Sequence, residues 1–159
     1  MAWKFTEIKE CHNSQMASVV RTNLEKAGLD IPGTAYFDKS LDSLSAYYGQ
    51  EDRKYFVLLK EKAVIGGVGF APFEMFDNCA EMQKLYLDDS VKGLGLGYKL
   101  VEKIEEEIRK AGFRTVYLET HHSLQAAVHL YLKCGYKEIE RPDGVVHSTM
   151  DLFFTKELF

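Results

Sequence analysis

The sequence is poor in the features that would place it in a membrane, a disulfide-stapled scaffold or a nucleic-acid complex. No apolar run approaches the ~20 residues that a bilayer-spanning helix needs. The opening MAWKFTEIKE lacks the charged-then-apolar pattern of a secretory signal, so a cytoplasmic location is expected. The three cysteines, Cys11, Cys79 and Cys134, are odd in number, widely spaced and never arranged as CxxC. That speaks against a disulfide framework and against thiolate metal ligation. Positive charge is not in excess: 20 Lys and Arg stand against 24 Asp and Glu, a net charge of −4. The basic residues are spread along the chain instead of forming a stripe, so a nucleic-acid partner is not expected. Repeats, low-complexity tracts and linker-like stretches are missing too. The 159 residues therefore read as one domain, 1–159.

What is present is an ordinary globular composition, 46% apolar and 28% charged. A chain of this length buries roughly two thirds of its unfolded surface and needs no cross-links for a core. Trp3 to Ile8 alternates and reads as a strand. Asn13 or Ser14 can cap a following helix, on which Met16, Val19, Val20, Leu24 and Ala27 recur at helical spacing up to Gly28. A loop with Pro32 and Gly33 leads to a short helix, Ser40 to Gly49. The runs 55–59 and 63–70 flank Glu61-Lys62 and read as a hairpin. After a loop at 72–78, Cys79 to Leu87 is a strand. An amphipathic helix then carries Leu100, Val101, Ile104 and Ile108 on one face. Glu102, Glu105, Glu106, Glu107, Arg109 and Lys110 cover the other. Arg114 to Glu119 is a strand and Leu124 to Lys133 a helix. Two final strands, 136–139 and 148–154, flank a turn at Pro142-Asp143-Gly144. The order describes an α/β (mixed α+β) domain with a mixed sheet.

The most informative segment is Lys92-Gly93-Leu94-Gly95-Leu96-Gly97, between strand and helix. Alternate glycines let backbone N–H groups converge on an anion, and the positive end of the helix dipole adds to the cradle. Lys92 supplies a mobile charge at its rim. The pattern suits a pyrophosphate, although a glycine-rich turn can also be only a tight connection. A Walker A loop is excluded because no Gly-Lys-Ser/Thr follows. The dinucleotide fingerprint fails because its third glycine would fall on Tyr98.

The segment Lys92-Gly93-Leu94-Gly95-Leu96-Gly97-Tyr98-Lys99-Leu100 resembles the Arg-Gly-x-Gly-x-Gly-x-x-Leu signature of the GCN5-related N-acetyltransferase (GNAT) superfamily. The preceding EMQKLYLDDSV resembles that family's fourth strand. Ala127 to Tyr136 resembles its Ala-x-x-Leu-Tyr-x-x-x-Gly-Phe element, in the right order and spacing. The chain departs from the pattern at Lys92, where Arg is usual, and at Leu124, where many members have Asn.

The resemblance implies a GNAT-like fold, with a mostly antiparallel sheet of six to seven strands flanked by about four helices. It implies acetyl transfer from acetyl-CoA to a primary amine of a small molecule, without a metal. A noncatalytic acyl-CoA-binding module is the alternative, and a homodimer is compatible with the family's exposed strand edges. Carried over by residue, the backbone N–H groups of Gly93, Leu94, Gly95, Leu96, Gly97 and Tyr98 would hold the pyrophosphate, with Lys92 beside them. Leu87 and Asp88, next to a bulge where two strands splay, would pair with the pantetheine arm. Tyr131 would protonate the departing thiolate. Glu81, on the same strand face as Cys79 and Gln83, is the first candidate for the base that deprotonates the amine, and Glu119 the second.

His121 and His122 are read as strand neighbours pointing to opposite sides and hence poor joint ligands. His129 and His147 are read as surface or satisfied residues. The acceptor side would be walled by Tyr36, Phe37, Tyr47, Tyr48, Phe73, Met75, Phe76 and the Arg141 to His147 turn. Arg141 or Arg53 is available there for a substrate carboxylate.

Overall fold

A computed structural model describes residues 3–159. Among them, seven strands form one sheet in the order β1-β2-β3-β4-β5-β7-β6. They are β1 (Trp3–Glu7), β2 (Lys54–Lys60), β3 (Ala63–Pro72), β4 (Cys79–Leu87), β5 (Thr115–Thr120), β6 (Lys137–Ile139) and β7 (Leu152–Glu157). The helices are α1 (Asn13–Lys26), the single-turn α2 (Leu44–Tyr47), α3 (Leu96–Lys110) and α4 (Gln125–Lys133). Every neighbouring pair is antiparallel except β4 and β5, which α3 connects in parallel.

The central strands are buried on both faces, which explains their nearly continuous apolar sequence. On β2, Phe56 and Leu58 join one core with Leu100, Val101, Ile104 and Ile108 of α3. Tyr55, Val57 and Leu59 join the other core with Met16, Val20 and Leu24 of α1. Glu61 at the β2–β3 turn takes a positive φ of 57°.

Asn13 does not cap α1. The preceding 3₁₀ turn, Glu10–His12, leads into the helix, and Asn13 instead exchanges two hydrogen bonds with Ser45 at 2.8 and 2.9 Å. The helix expected after Ser40 is split into a 3₁₀ turn, Leu41–Ser43, and α2. The last strand begins at Leu152, not at 148. Thr149 is held on the first helical loop instead, its N–H on Gly33 O at 3.1 Å and its hydroxyl on Pro32 O at 2.7 Å.

The feature that positions the site is a bulge on β4. Gly67 faces Tyr86 and Gly69 faces Gln83, so Lys84 and Leu85 together oppose Val68. Lys84 takes a φ of +52° there. The extra residue shifts the alternation by one, which puts both Met82 and Leu85 in the α3-side core. The carbonyl of Lys84 accepts the hydroxyl of Tyr55 at 2.6 Å. Tyr55 crosses β3 at Gly67 and Gly69. A Cβ at either glycine would come within 2.7 or 2.4 Å of its ring, so the glycines are a packing requirement.

Candidate active site

The parallel contact between β4 and β5 lasts three residue pairs, Cys79–Thr115 to Glu81–Tyr117, and then ends. Beyond it a cleft of about 890 Å³ opens, lined by α1, the glycine turn, β4, the end of β5 and α4.

At the glycine turn, Gly93 and Gly95 have φ of +84° and +76° with open space where a Cβ would stand. They are there for backbone conformation. Gly97 differs: a Cβ would lie 3.1 Å from Leu130, so it sets how closely α3 approaches α4. Lys92 N–H is bonded to Asp89 O. Among the described residues, Gly93, Leu94 and Gly95 donate no backbone hydrogen bond. The first N–H groups of α3, from Leu96 through Tyr98, have no intrahelical partner. Leu94 and Tyr98 have exposed side chains. The turn thus presents a row of unpaired donors at a helix N-terminus, which fits a pyrophosphate.

Lys92 is not the mobile charge expected. Its ammonium is fixed by Asp89 at 2.7 Å and Asn23 Oδ1 at 2.8 Å, and Lys26 pairs with the same Asp89. Asn23 also donates to the carbonyl of Leu87 at 2.9 Å. In the sequence the only signal of Asn23 is a polar side chain beside Val19, Val20 and Leu24.

Asp88 turns away from the cleft. Its N–H donates to Ile65 O at 2.8 Å, and its carboxylate accepts from the N–H and hydroxyl of Ser90. By antiparallel alternation, the Leu87 N–H then faces the gap between β4 and β5. Leu87 is the residue that remains able to pair with an extended ligand.

Two polar chains converge near the divergence point. In the first, Tyr48 donates to Gln83 Oε1 at 2.5 Å and Gln83 Nε2 donates to Glu81 at 2.9 Å. Burial, and then the nearby charge of Glu119, push the Glu81 carboxyl up to about 7. In the second, Lys84 pairs with Asp38 at 2.8 Å, and His147 lies 2.9 Å from Asp38 through Nε2 and 3.2 Å from Glu119 through Nδ1. The Tyr117 hydroxyl donates to the other oxygen of Glu119 at 2.9 Å. Hydrogen bonds to Asp38 and Glu119 raise His147 to about 9, so at neutral pH it is an imidazolium donating from both nitrogens. Burial works against Asp38 ionisation, but His147 and Lys84 outweigh it and hold its carboxyl below the ordinary value.

Glu119 lines the cleft, and Glu81 is half-buried on β4 beside Gln83. Tyr131 lines the cleft from α4, and burial pushes its hydroxyl well above the usual tyrosine value. His147, expected to be satisfied and part of the Arg141 to His147 wall, has both nitrogens on carboxylates, whereas Asp38 and Lys84 carry no local signal in the sequence. These three come from separate loops and a bulge, and only folding joins them.

Arg141 is used internally, donating to Met150 O at 2.6 Å and stacking on Phe153, and Arg53 is paired with Asp52 over Tyr47. Tyr48 is buried, and Phe73 stacks on Tyr117 with ring centroids 3.8 Å apart. Of the proposed acceptor walls, Phe37, Met75 and Phe76 remain exposed. Leu124 lines the cleft and packs against the α1-side core. His121 and His122 lie past the end of β5, and their rings face each other at 4.3 Å, not on opposite sides.

Comparison with known proteins agrees with this geometry. Residues 22–136 match the model of the acetyltransferase (GNAT) family. An uncharacterised N-acetyltransferase of Escherichia coli, YjgM, is 35% identical over 149 residues, covering 92% of this chain and 89% of that one. A solved GNAT-family acetyltransferase of Staphylococcus aureus superposes with a TM-score of 0.86 at 17% identity, over 99% of this chain and 100% of that one. The PaiA N-acetyltransferase of Thermoplasma acidophilum, solved in complex with coenzyme A, gives 0.77 at 19% identity over 99% of each chain. The chain belongs to the GNAT family and is an acetyl-CoA-dependent N-acetyltransferase. Among the described residues, no helix is long and apolar enough to cross a membrane.

Proposed function

We propose that the protein transfers the acetyl group of acetyl-CoA to the primary amine of a small molecule by direct attack. The observation that carries this reading is Glu81. Its carboxyl sits at the last β4–β5 pair, where the strands diverge, with Tyr131 on the cleft wall, and burial and then Glu119 push it up to about 7. A base that titrates at the operating pH is the kind that amine deprotonation needs.

In this reading the N–H groups of residues 93–98 hold the pyrophosphate, with Lys92 adding charge at the rim. Leu87 meets the pantetheine arm, and its N–H is the donor available to the thioester oxygen. The amine nitrogen attacks the thioester carbon and the C–S bond breaks. Tyr131 gives its proton to the departing thiolate. The amine's surplus proton passes through water to Glu81. Glu119 is the carboxylate that the incoming amine meets first. It accepts from Tyr117 and faces His147, which orients it toward the amine, and it is the second candidate for the base. The exposed Phe37 and Met75 give the acceptor side an apolar rim. A cytoplasmic enzyme is part of this reading. So is a homodimer through one of the sheet's edge strands, β1 or β6.

The test is thiol release from acetyl-CoA across a panel of small primary amines, with the product identified by mass. N-acetylated product, lost in Glu81→Gln, supports the assignment. Acetyl-CoA binding without turnover on any small amine, but with turnover on peptide N-termini, would replace the acceptor class.

A further inference from the structure

One cluster of metal-ligating side chains lies outside the acetyl-transfer machinery. His121 and His122 follow β5, and Asp151 immediately precedes β7. The Asp151 N–H donates to Thr120 O at 3.1 Å, which brings the two segments side by side. His122 Nδ1 is 2.5 Å and His121 Nε2 3.7 Å from the same oxygen, Asp151 Oδ2. All three ligand atoms lie within 4.8 Å of one another.

We propose that His121, His122 and Asp151 form a binding site for a late transition-metal dication, with zinc as the ion to test. Zinc bonds nitrogen and oxygen at about 2.0–2.1 Å, so tetrahedral ligand atoms stand roughly 3.3 Å apart. The observed 2.5 and 3.7 Å straddle that separation, and the His122 side chain is 70% exposed, free to adjust and open to a water as fourth ligand. Two imidazoles and one carboxylate suit zinc, nickel or copper, whereas magnesium and calcium prefer all-oxygen shells.

The outer partners are in place. His121 Nδ1 lies 2.7 Å from Ser123 Oγ. With a metal on Nε2, the ring proton resides on Nδ1 and is donated to that hydroxyl, the usual support for a ligating histidine. The Ser123 N–H, which faces Nδ1 at 3.2 Å, is then released. Asp151 Oδ1 accepts the His122 N–H at 2.9 Å, which holds the carboxylate while Oδ2 binds. The metal takes the place of the proton that now joins His122 Nδ1 to Asp151. His147 offers no comparable site, because both of its nitrogens already engage carboxylates and Lys84 shares one of them. Thr120, Ser123 and Met150, neighbours of the three ligands, line the cleft. A bound ion therefore sits at the cleft rim and ties the β5–α4 loop to β7.

The experiment is a zinc titration of chelator-stripped protein in competition with a chromophoric chelator, alongside X-ray absorption of the one-equivalent complex. One saturable equivalent, a raised Tm and a shell of imidazole nitrogen and oxygen without sulfur are expected. His122→Ala and Asp151→Asn should weaken binding more than tenfold, and Ser123→Ala by about tenfold. Absence of saturable binding would overturn the site. So would undiminished binding in the His122→Ala/Asp151→Asn double variant, or sulfur in the shell, which would place the ion on a cysteine such as Cys11 or Cys134. The absorption measurement uses the unaltered chain and does not depend on the variants folding.

Discussion

The Tyr55 hydroxyl donates to the backbone carbonyl of Lys84 at 2.6 Å, from one strand across a second to the bulge of a third. The bulge reverses which residues of β4 face which core, and it lies next to the point where β4 leaves β5. Tyr55→Phe keeps the ring between Gly67 and Gly69 but leaves the Lys84 carbonyl without its partner. A loss of about 1–3 kcal/mol is expected in chemical denaturation. Acetyl-CoA should bind less tightly as well, measured by calorimetry, because the strand that meets the cosubstrate loses its pin.

Glu81→Gln should lower kcat/KM at pH 8 by roughly 10²–10⁴-fold, the usual contribution of a positioned base. In the unaltered enzyme, activity should rise with pH through an apparent pKa near 7, as Glu81 ionises. The variant's profile should lack that limb. An unchanged limb would assign it to another group.

Tyr131→Phe should reduce kcat by about 10²-fold or more while acetyl-CoA affinity and Tm stay close to those of the parent. Burial favours the protonated hydroxyl, so no alkaline loss from Tyr131 ionisation is expected at pH 9 or below. Pre-steady-state thiol release separates this effect from product dissociation.

Gly95→Ala and Gly97→Ala should differ in kind. At Gly95 the φ of +76° is unfavourable for alanine by about 1–2 kcal/mol although space is free. The turn relaxes and acetyl-CoA binding weakens by tenfold or more. At Gly97 the new methyl group meets Leu130 at 3.1 Å, so the cost should show in Tm more than in cosubstrate affinity.

His147→Gln tests the clamp between Asp38 and Glu119. The folded-state pKa of His147 is raised, so its stabilisation is complete below the unfolded value of about 6.5 and is lost as pH rises through about 9. The size is about 3 kcal/mol. Denaturation midpoints of the parent should fall across that window, and those of the variant should be flatter.

The order of elements, the central glycine turn and the Tyr131 helix are all legible in the chain. These depend on local rules: apolar periodicity, positive-φ glycines and helix-terminal donors. Strand alternation also places Glu81 and Gln83 on one face, because they precede the bulge. Other features arise only on folding. Periodicity puts Glu105 on the polar face of α3, yet it is buried with Lys156 at 3.0 Å and the Tyr136 hydroxyl at 2.8 Å, since β7 and Tyr136 cover that flank. Asp38, Lys84 and His147 come together over separations of up to 109 residues, and His121, His122 and Asp151 meet only because β7 begins beside the end of β5. A charge or an imidazole gains its chemical role from partners distant in the chain, and no local periodicity encodes which partners those are.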